Sequence, residues 1–198
     1  MPRAICQSCQ RPKTSCICRL FVSIINHIEI VILQHPSEVK QSKGSVTLLK
    51  GSLQKCHVLQ GESFKGNADY QKLFLQKNHN TVLLYPSDKS ELISQLSNKN
   101  HQQGAIKRII LLDGTWKKAY RMYMSNPELH SLPHIRLPDN ISSLYDARST
   151  KKKGGLSTLE AACHTLSQLE DNDIKYQELL NSFKAFNQQL LAFRPSTL

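Results

Sequence analysis

The sequence predicts an α/β fold with a largely parallel sheet flanked by helices, and two features carry that expectation. The apolar runs Ile28 to Leu33, Thr81 to Tyr85 and Ile109 to Leu112 are short and nearly unbroken, as strands buried on both faces of a parallel sheet must be. Segments with helical spacing lie between them, so strands and helices alternate along the chain. At 198 residues the chain reads as one domain with a small appendage. The boundary is expected between a four-cysteine segment, residues 1–22, and an α/β domain, residues 23–198.

Taken in order, the chain opens on ICQSCQRPKTSCICR, in which Cys6 and Cys9 form a C-x2-C pair and Cys16 and Cys18 a C-x-C pair. Four thiolates around a proline-containing turn can wrap a tetrahedral zinc, and the segment has too little apolar content to fold without a staple. Redox-active or unpaired thiols are the alternative. Four protein ligands leave no open position, so the metal would be structural. Arg3, Arg11, Lys13 and Arg19 surround it and can reach phosphate. Cys56, in a predicted strand, and Cys163, on a helix face, read as core cysteines.

The strand Ile28 to Leu33 ends in Gln34-His35-Pro36-Ser37-Glu38. His35 before a proline is extended and reads more as a hydrogen-bonder than as a catalyst, and Glu38 suits the first turn of a helix. Residues 39–53 suggest a modest helix interrupted by Gly44 and Gly51. A short strand, Cys56 to Leu59, closes at Gly61; Ala68 to Gln76 is helical in pattern; the strand Thr81 to Tyr85 stops at Pro86. Ser87 or Asp88 is expected to cap a helix through Leu96, followed by a polar loop over 97–106.

Ile109 to Leu112 is then broken by Asp113-Gly114. Thr115 can cap a helix in which Trp116, Ala119, Tyr120 and Tyr123 recur at helical spacing. A carboxylate, a glycine, a hydroxyl and the only tryptophan thus meet at the carboxyl end of a strand, where open α/β sheets bind ligands. The plainer reading is an ordinary Asp-Gly turn with Trp116 in the core.

Asn126-Pro127 ends that helix, and His134 to Leu137 is a short strand stopped by Pro138. After Leu144-Tyr145-Asp146-Ala147-Arg148 and the basic loop through Lys151, Lys152 and Lys153, Ser157 and Glu160 have capping-box spacing. They open a helix with Leu159, Ala162, Cys163, Leu166 and Leu169 on one face. A last helix from about Lys175 carries Leu179, Phe183, Phe186, Leu190 and Phe193 as a packing face.

The formal net charge is +11, from 26 Lys and Arg against 15 Asp and Glu, which favours nucleic acid or an anionic surface as partner. No apolar run approaches membrane-spanning length and the N-terminus carries no secretory segment, so a cytoplasmic protein without a membrane partner is expected. Neither a G-x-G-x-x-G nor a Walker-type lysine loop is present, so neither glycine-rich nucleotide device applies.

In their order and separation, CQSCQRPKTSCIC, HPSE, VLLYP, DGTW, YDAR and GLSTLEA resemble the DTW-domain family. The D-x-T-W motif stands here as Asp113, Gly114, Thr115 and Trp116. The chain departs from the usual pattern at Lys43-Gly44-Ser45, where polar residues such as Asn-Thr are common, and at Asp146, where an apolar residue is usual. The resemblance implies a tRNA-uridine aminocarboxypropyltransferase, moving the 3-amino-3-carboxypropyl group of S-adenosylmethionine onto N3 of a uridine. It also implies a SPOUT-like fold with a trefoil knot, a topology that ordinary chain-path rules would not suggest.

On that resemblance Asp113 is the candidate base, Thr115 and Trp116 complete the motif, and Arg148 is placed to stabilise uracil oxygens or clamp a carboxylate. Trp116 would stack on the target base or on adenine. The S-adenosylmethionine pocket would come from Leu84, Tyr85 and Pro86, from the stretch Ile135 to Pro138 and chiefly its Leu137 and Pro138, and from Leu156, Ser157 and Thr158. Lys117, Lys118 and Arg121, with Lys151, Lys152 and Lys153, would track a tRNA backbone. No obligate protein partner is expected. A SPOUT-type RNA methyltransferase and a non-enzymatic zinc-containing RNA-binding protein are the alternatives.

Overall fold

The computed structural model describes residues 4–75, 80–95, 105–143 and 155–192. Strands β1 (Glu29–Gln34), β2 (Cys56–Gln60), β3 (Thr81–Leu84), β4 (Glu91–Leu92), β5 (Arg108–Asp113) and β6 (His134–Arg136) form one sheet. Its order is β2-β1-β5-β3-β6-β4, with every neighbouring pair parallel. The helices include α1 (Val46–Ser52), α2 (Ala68–Leu75), α3 (Trp116–Ser125), α4 (Thr158–Leu169) and α5 (Asp173–Ala192).

The unbroken apolar runs are explained by burial on both faces, because the strand pleat sends alternate residues to opposite sides. Ile30, Ile32, Ile109 and Leu111 pack with α1 (Leu48, Leu49), α4 (Leu159, Ala162, Cys163, Leu166) and α5 (Leu179, Phe183, Phe186). Val31, Leu33, Leu83 and Ile110 pack on the other side with Phe64, Tyr70, Met122 and Leu129. Cys56 and Cys163 are core residues, as their positions suggested. Phe193, expected on the α5 face, lies outside the described residues.

Caps set the helix ends. The Thr115 hydroxyl accepts from the Lys118 amide at 3.4 Å, and Ser157 and Glu160 form both halves of a capping box. The predicted interrupted helix over 39–53 reduces to α1. Gly51 lies inside that helix rather than breaking it, and its missing side chain makes room for Phe21, whose Cε2 an added Cβ would meet at 2.5 Å.

The helix expected from Ser87 or Asp88 is a correction. Ser87 to Ser90 forms a turn, closed by the Ser90 hydroxyl on the Ser87 carbonyl at 2.7 Å, and β4 comes next as an edge strand on β6. Helical residues begin only at 93. Tertiary pairing with β6 outweighed the capping signal.

The cysteine segment packs on the α/β core. Cys9 and Ile17 are buried in the same cluster as α5. Arg11 donates to the Ser42 carbonyl at 2.7 Å and to that of Gly44 at 3.2 Å, and stands over the Phe186 ring at 4.8 Å. A knot is a property of the whole chain path, which includes residues 144–154, so the trefoil topology stays an implication of resemblance. Among the described residues no helix is long and apolar enough to cross a membrane.

Candidate functional site

The register levels the carboxyl ends of the central strands: Gln34 of β1 stands opposite Asp113 of β5, and Leu84 of β3 stands opposite both Leu111 and Ile135. The residues leaving each of these strands therefore converge on one edge of the sheet. The start of α4 reaches the same edge, where Thr158 meets Asp113.

Asp113 is held there by two donors remote in sequence. Thr158 Oγ1 donates to Oδ1 at 2.5 Å and Gln34 Nε2 to Oδ2 at 2.9 Å. Gly114 permits the close turn into α3, because a Cβ there would stand 3.0 Å from that of Lys118.

A cavity of about 600 Å³, within the range of roughly 300–1,000 Å³ usual for small ligands, is lined by Leu112 and Gly114 on either side of Asp113 and by its partner Thr158, while Asp113 itself is set behind that wall. Its walls include all eight residues expected for the cofactor: Leu84, Tyr85, Pro86, Leu137, Pro138, Leu156, Ser157 and Thr158. Thr115 and Trp116 line it too, as do Arg136, within the expected stretch from Ile135 to Pro138, and Asp139, which the sequence did not single out. Thr158 thus forms part of the wall and also donates to Asp113. Trp116 is exposed, which removes the reading of it as a core residue.

The wall at Tyr85 is braced from behind. Tyr85 stacks on Tyr123 with centroids 4.8 Å apart, and burial pushes its phenol above its ordinary pKa. His134 Nδ1 pairs with the Ser87 hydroxyl at 2.7 Å, and Nε2 donates to the Leu129 carbonyl at 3.1 Å, since a carbonyl oxygen can only accept.

A second polar group joins the β1 loop to α3. His35 Nδ1 accepts from the Ser37 amide at 3.2 Å, and Nε2 donates to Glu62 at 2.9 Å. The His35 hydrogen bond, with Arg121 beside it, holds Glu62 below the usual carboxylate range. Arg121 reaches Glu62 at 2.6 Å, and Lys118 reaches Glu38 at 2.7 Å. Two of the three α3 cations expected on RNA therefore face carboxylates, whereas Lys117 has no ion pair among the described residues. Glu62 was not singled out by the sequence. Its one signal was a polar residue just beyond the carboxyl end of β2. Arg148, Tyr145, Lys151, Lys152 and Lys153 lie outside the described residues.

The four N-terminal cysteines meet as expected, their sulfurs all within 4.8 Å of one another. Cys6 and Cys18 are 3.6 Å apart and Cys9 and Cys16 are 3.7 Å apart. A tetrahedron with Zn–S bonds of about 2.3 Å has edges of about 3.8 Å, so the spacing fits a metal ion. Backbone amides of Cys9 and Ser8 lower Cys6 to about 6, while desolvation and then the neighbouring sulfurs push Cys18 up to about 12. Four clustered thiols resist ionising together unless a cation joins them.

The DTW domain matches residues 3–191. The chain is 35% identical over 182 residues to the Drosophila melanogaster tRNA-uridine aminocarboxypropyltransferase 2, an alignment covering 88% of this chain and 70% of that protein. It is 30% identical over 187 residues to the Macaca fascicularis protein of the same name, covering 92% of this chain and 62% of the relative. With the Arabidopsis thaliana tRNA-uridine aminocarboxypropyltransferase A it shares 26% over 205 residues, or 91% of this chain and 78% of the relative. No solved structure matches the chain.

Proposed function

The chain belongs to the DTW-domain family, whose curated relatives carry transferase names, and from that premise we propose that it modifies tRNA. The reaction is transfer of the 3-amino-3-carboxypropyl group of S-adenosylmethionine onto N3 of a uridine. The observation that carries this reading is the cavity at the strand ends, which gathers residues 84–86, 137–138 and 156–158 beside the D-x-T-W turn. Its volume and mostly apolar lining suit a nucleoside-sized ligand held largely by backbone groups.

S-adenosylmethionine would supply an alkyl carbon activated by sulfonium, whose C–S bond breaks as the C–N3 bond forms and methylthioadenosine leaves, so the protein's part is to bind, orient and remove the N3 proton. Asp113 accepts the N3 proton, with Gln34 and Thr158 fixing its carboxylate. Trp116 and bound RNA would exclude water from the reacting proton. Trp116, at the rim, stacks on a base. Arg148 balances charge on the uracil oxygens or on the transferred carboxylate.

Lys117 and Arg121, with Lys151, Lys152 and Lys153, supply the phosphate contacts, while Lys118, paired with Glu38, sits at the edge of the RNA path and fixes the start of α3. The cysteine cluster holds a structural zinc, residues 1–22 form its segment and residues 23–198 the catalytic domain. The protein works in the cytoplasm, without an obligate protein partner.

Mass spectrometry of nucleosides from unmodified tRNA, incubated with protein and S-adenosylmethionine, tests the reading. A uridine heavier by one aminocarboxypropyl group is the expected product. A methylated nucleoside would assign the methyltransferase chemistry instead, and binding without any product would leave an RNA-binding protein.

A further inference from the structure

Helix α3 buries Ala119 and Met122 against the sheet, yet it leaves three large side chains outside: Trp116 at 58%, Tyr120 at 56% and Met124 at 51% of full exposure. They are four residues apart and so form one row along the helix. A helix that has already buried its core face seldom carries such a row in water. The row starts at Trp116 in the cavity wall and runs away from it. Lys117 and Arg121, also four apart and exposed, flank it. Arg121 gives Glu62 only part of a guanidinium with five donors.

We propose that this row is a stacking track for unpaired RNA. Bases next to the target uridine lie on Trp116 and Tyr120, Met124 closes the far end, and phosphates pass Lys117 and Arg121. The proposal rests on the reading of the protein as a tRNA-modifying enzyme and adds that the RNA is engaged as a splayed single strand. Flat aromatic faces bordered by cations suit bases and phosphates together, because every base has a π-face. Bases stacked within a duplex have no face to offer. The formal net charge of +11 favours the same polyanionic occupant.

Trp116 is the only tryptophan, so its fluorescence reports the track directly. The experiment titrates full-length protein with single-stranded oligouridylate and, separately, with an RNA duplex of equal length. Single strand should quench Trp116, and Tyr120→Ala should weaken that binding by about 5- to 100-fold, the effect of losing one stacking partner. Tyr120→Phe should bind like the parent, and melting curves should match for all three proteins. Equal quenching by duplex, or unchanged affinity in Tyr120→Ala, would overturn the track. So would self-association that quenches Trp116 without RNA, which assigns the row to a second copy of the chain. No methyl or aminocarboxypropyl donor is present in this assay. A protein without transferase activity can therefore still pass it, and an active one can fail it.

Discussion

The Thr158 hydroxyl, in the first turn of α4, donates to Oδ1 of Asp113 at the end of β5 across 2.5 Å. That contact ties the capped start of α4, a wall of the cavity, to the carboxylate of the D-x-T-W turn. Gln34 holds the other oxygen from β1. Three elements far apart in sequence thus fix one acid beside the cavity, which is the preorganisation expected of a positioned base.

Asp113→Asn should fold and bind as the parent does. The amide oxygen can still accept from Gln34, and the Thr158 hydroxyl can turn to accept from the new NH2. Single-turnover transfer should nevertheless fall by about 10²- to 10⁴-fold, with partial rescue at higher pH as uracil loses its proton unaided. A lowered melting temperature with near-normal turnover would make Asp113 a structural residue only.

Cys6→Ser with Cys16→Ser should abolish stoichiometric zinc in protein purified without added metal. Loss of two direct ligands should cost more than the roughly 10- to 100-fold in affinity typical of outer-shell changes. Because Cys9 and Ile17 share the core with α5, the metal-free variant should also melt earlier. Unchanged zinc content would refute the cluster as the site.

On RNA, Lys117→Ala should weaken tRNA binding and shrink the slope of log K against log salt by about 0.7 to 0.9. Lys118→Ala should leave the slope nearly unchanged, since Glu38 already neutralises that ammonium. Replacing Lys151, Lys152 and Lys153 together should flatten the slope further, with most turnover restored at saturating tRNA. Equal slopes for Lys117→Ala and the parent would take Lys117 off the RNA.

Glu170 accepts from the His27 and Ile28 amides, the Tyr176 hydroxyl and Lys175, tying the entry of β1 to α5. Burial raises its pKa, but Lys175 and the other donors outweigh burial and hold it below the ordinary value. A carboxylate with a depressed folded pKa stabilises the fold above its unfolded value of about 4.3, and the contribution is lost as pH falls through the lower folded value. Glu170→Gln should cost about 2 to 4 kcal/mol at neutral pH, and much less once acid has protonated the parent. Chemical denaturation of both proteins across that range checks it.

Much of this was legible in local pattern. Unbroken apolar runs marked β1, β3 and β5, and the spacing of Ser157 with Glu160 and the capping hydroxyl of Thr115 marked helix starts. The D-G-T-W turn read as a strand end for the same reason. Asp113's partners were not legible, because Gln34 lies 79 residues away and Thr158 45, and periodicity says nothing of contacts through space. Asn126 read only as the end of a helix. Its side chain in fact accepts from the buried Phe64 amide and donates to the Glu62 carbonyl, fixing the loop that carries Glu62. The segment from Ser87 misled because a turn and a helix cap use the same residues.

Isotope labelling distinguishes which carbon of S-adenosylmethionine reaches the RNA. Two preparations of the donor, one labelled in the methyl group and the other in the aminocarboxypropyl chain, are each incubated with the protein and unmodified tRNA. Label should enter uridine only from the chain-labelled donor and should be lost in Asp113→Asn. Label arriving from the methyl group would contradict the account.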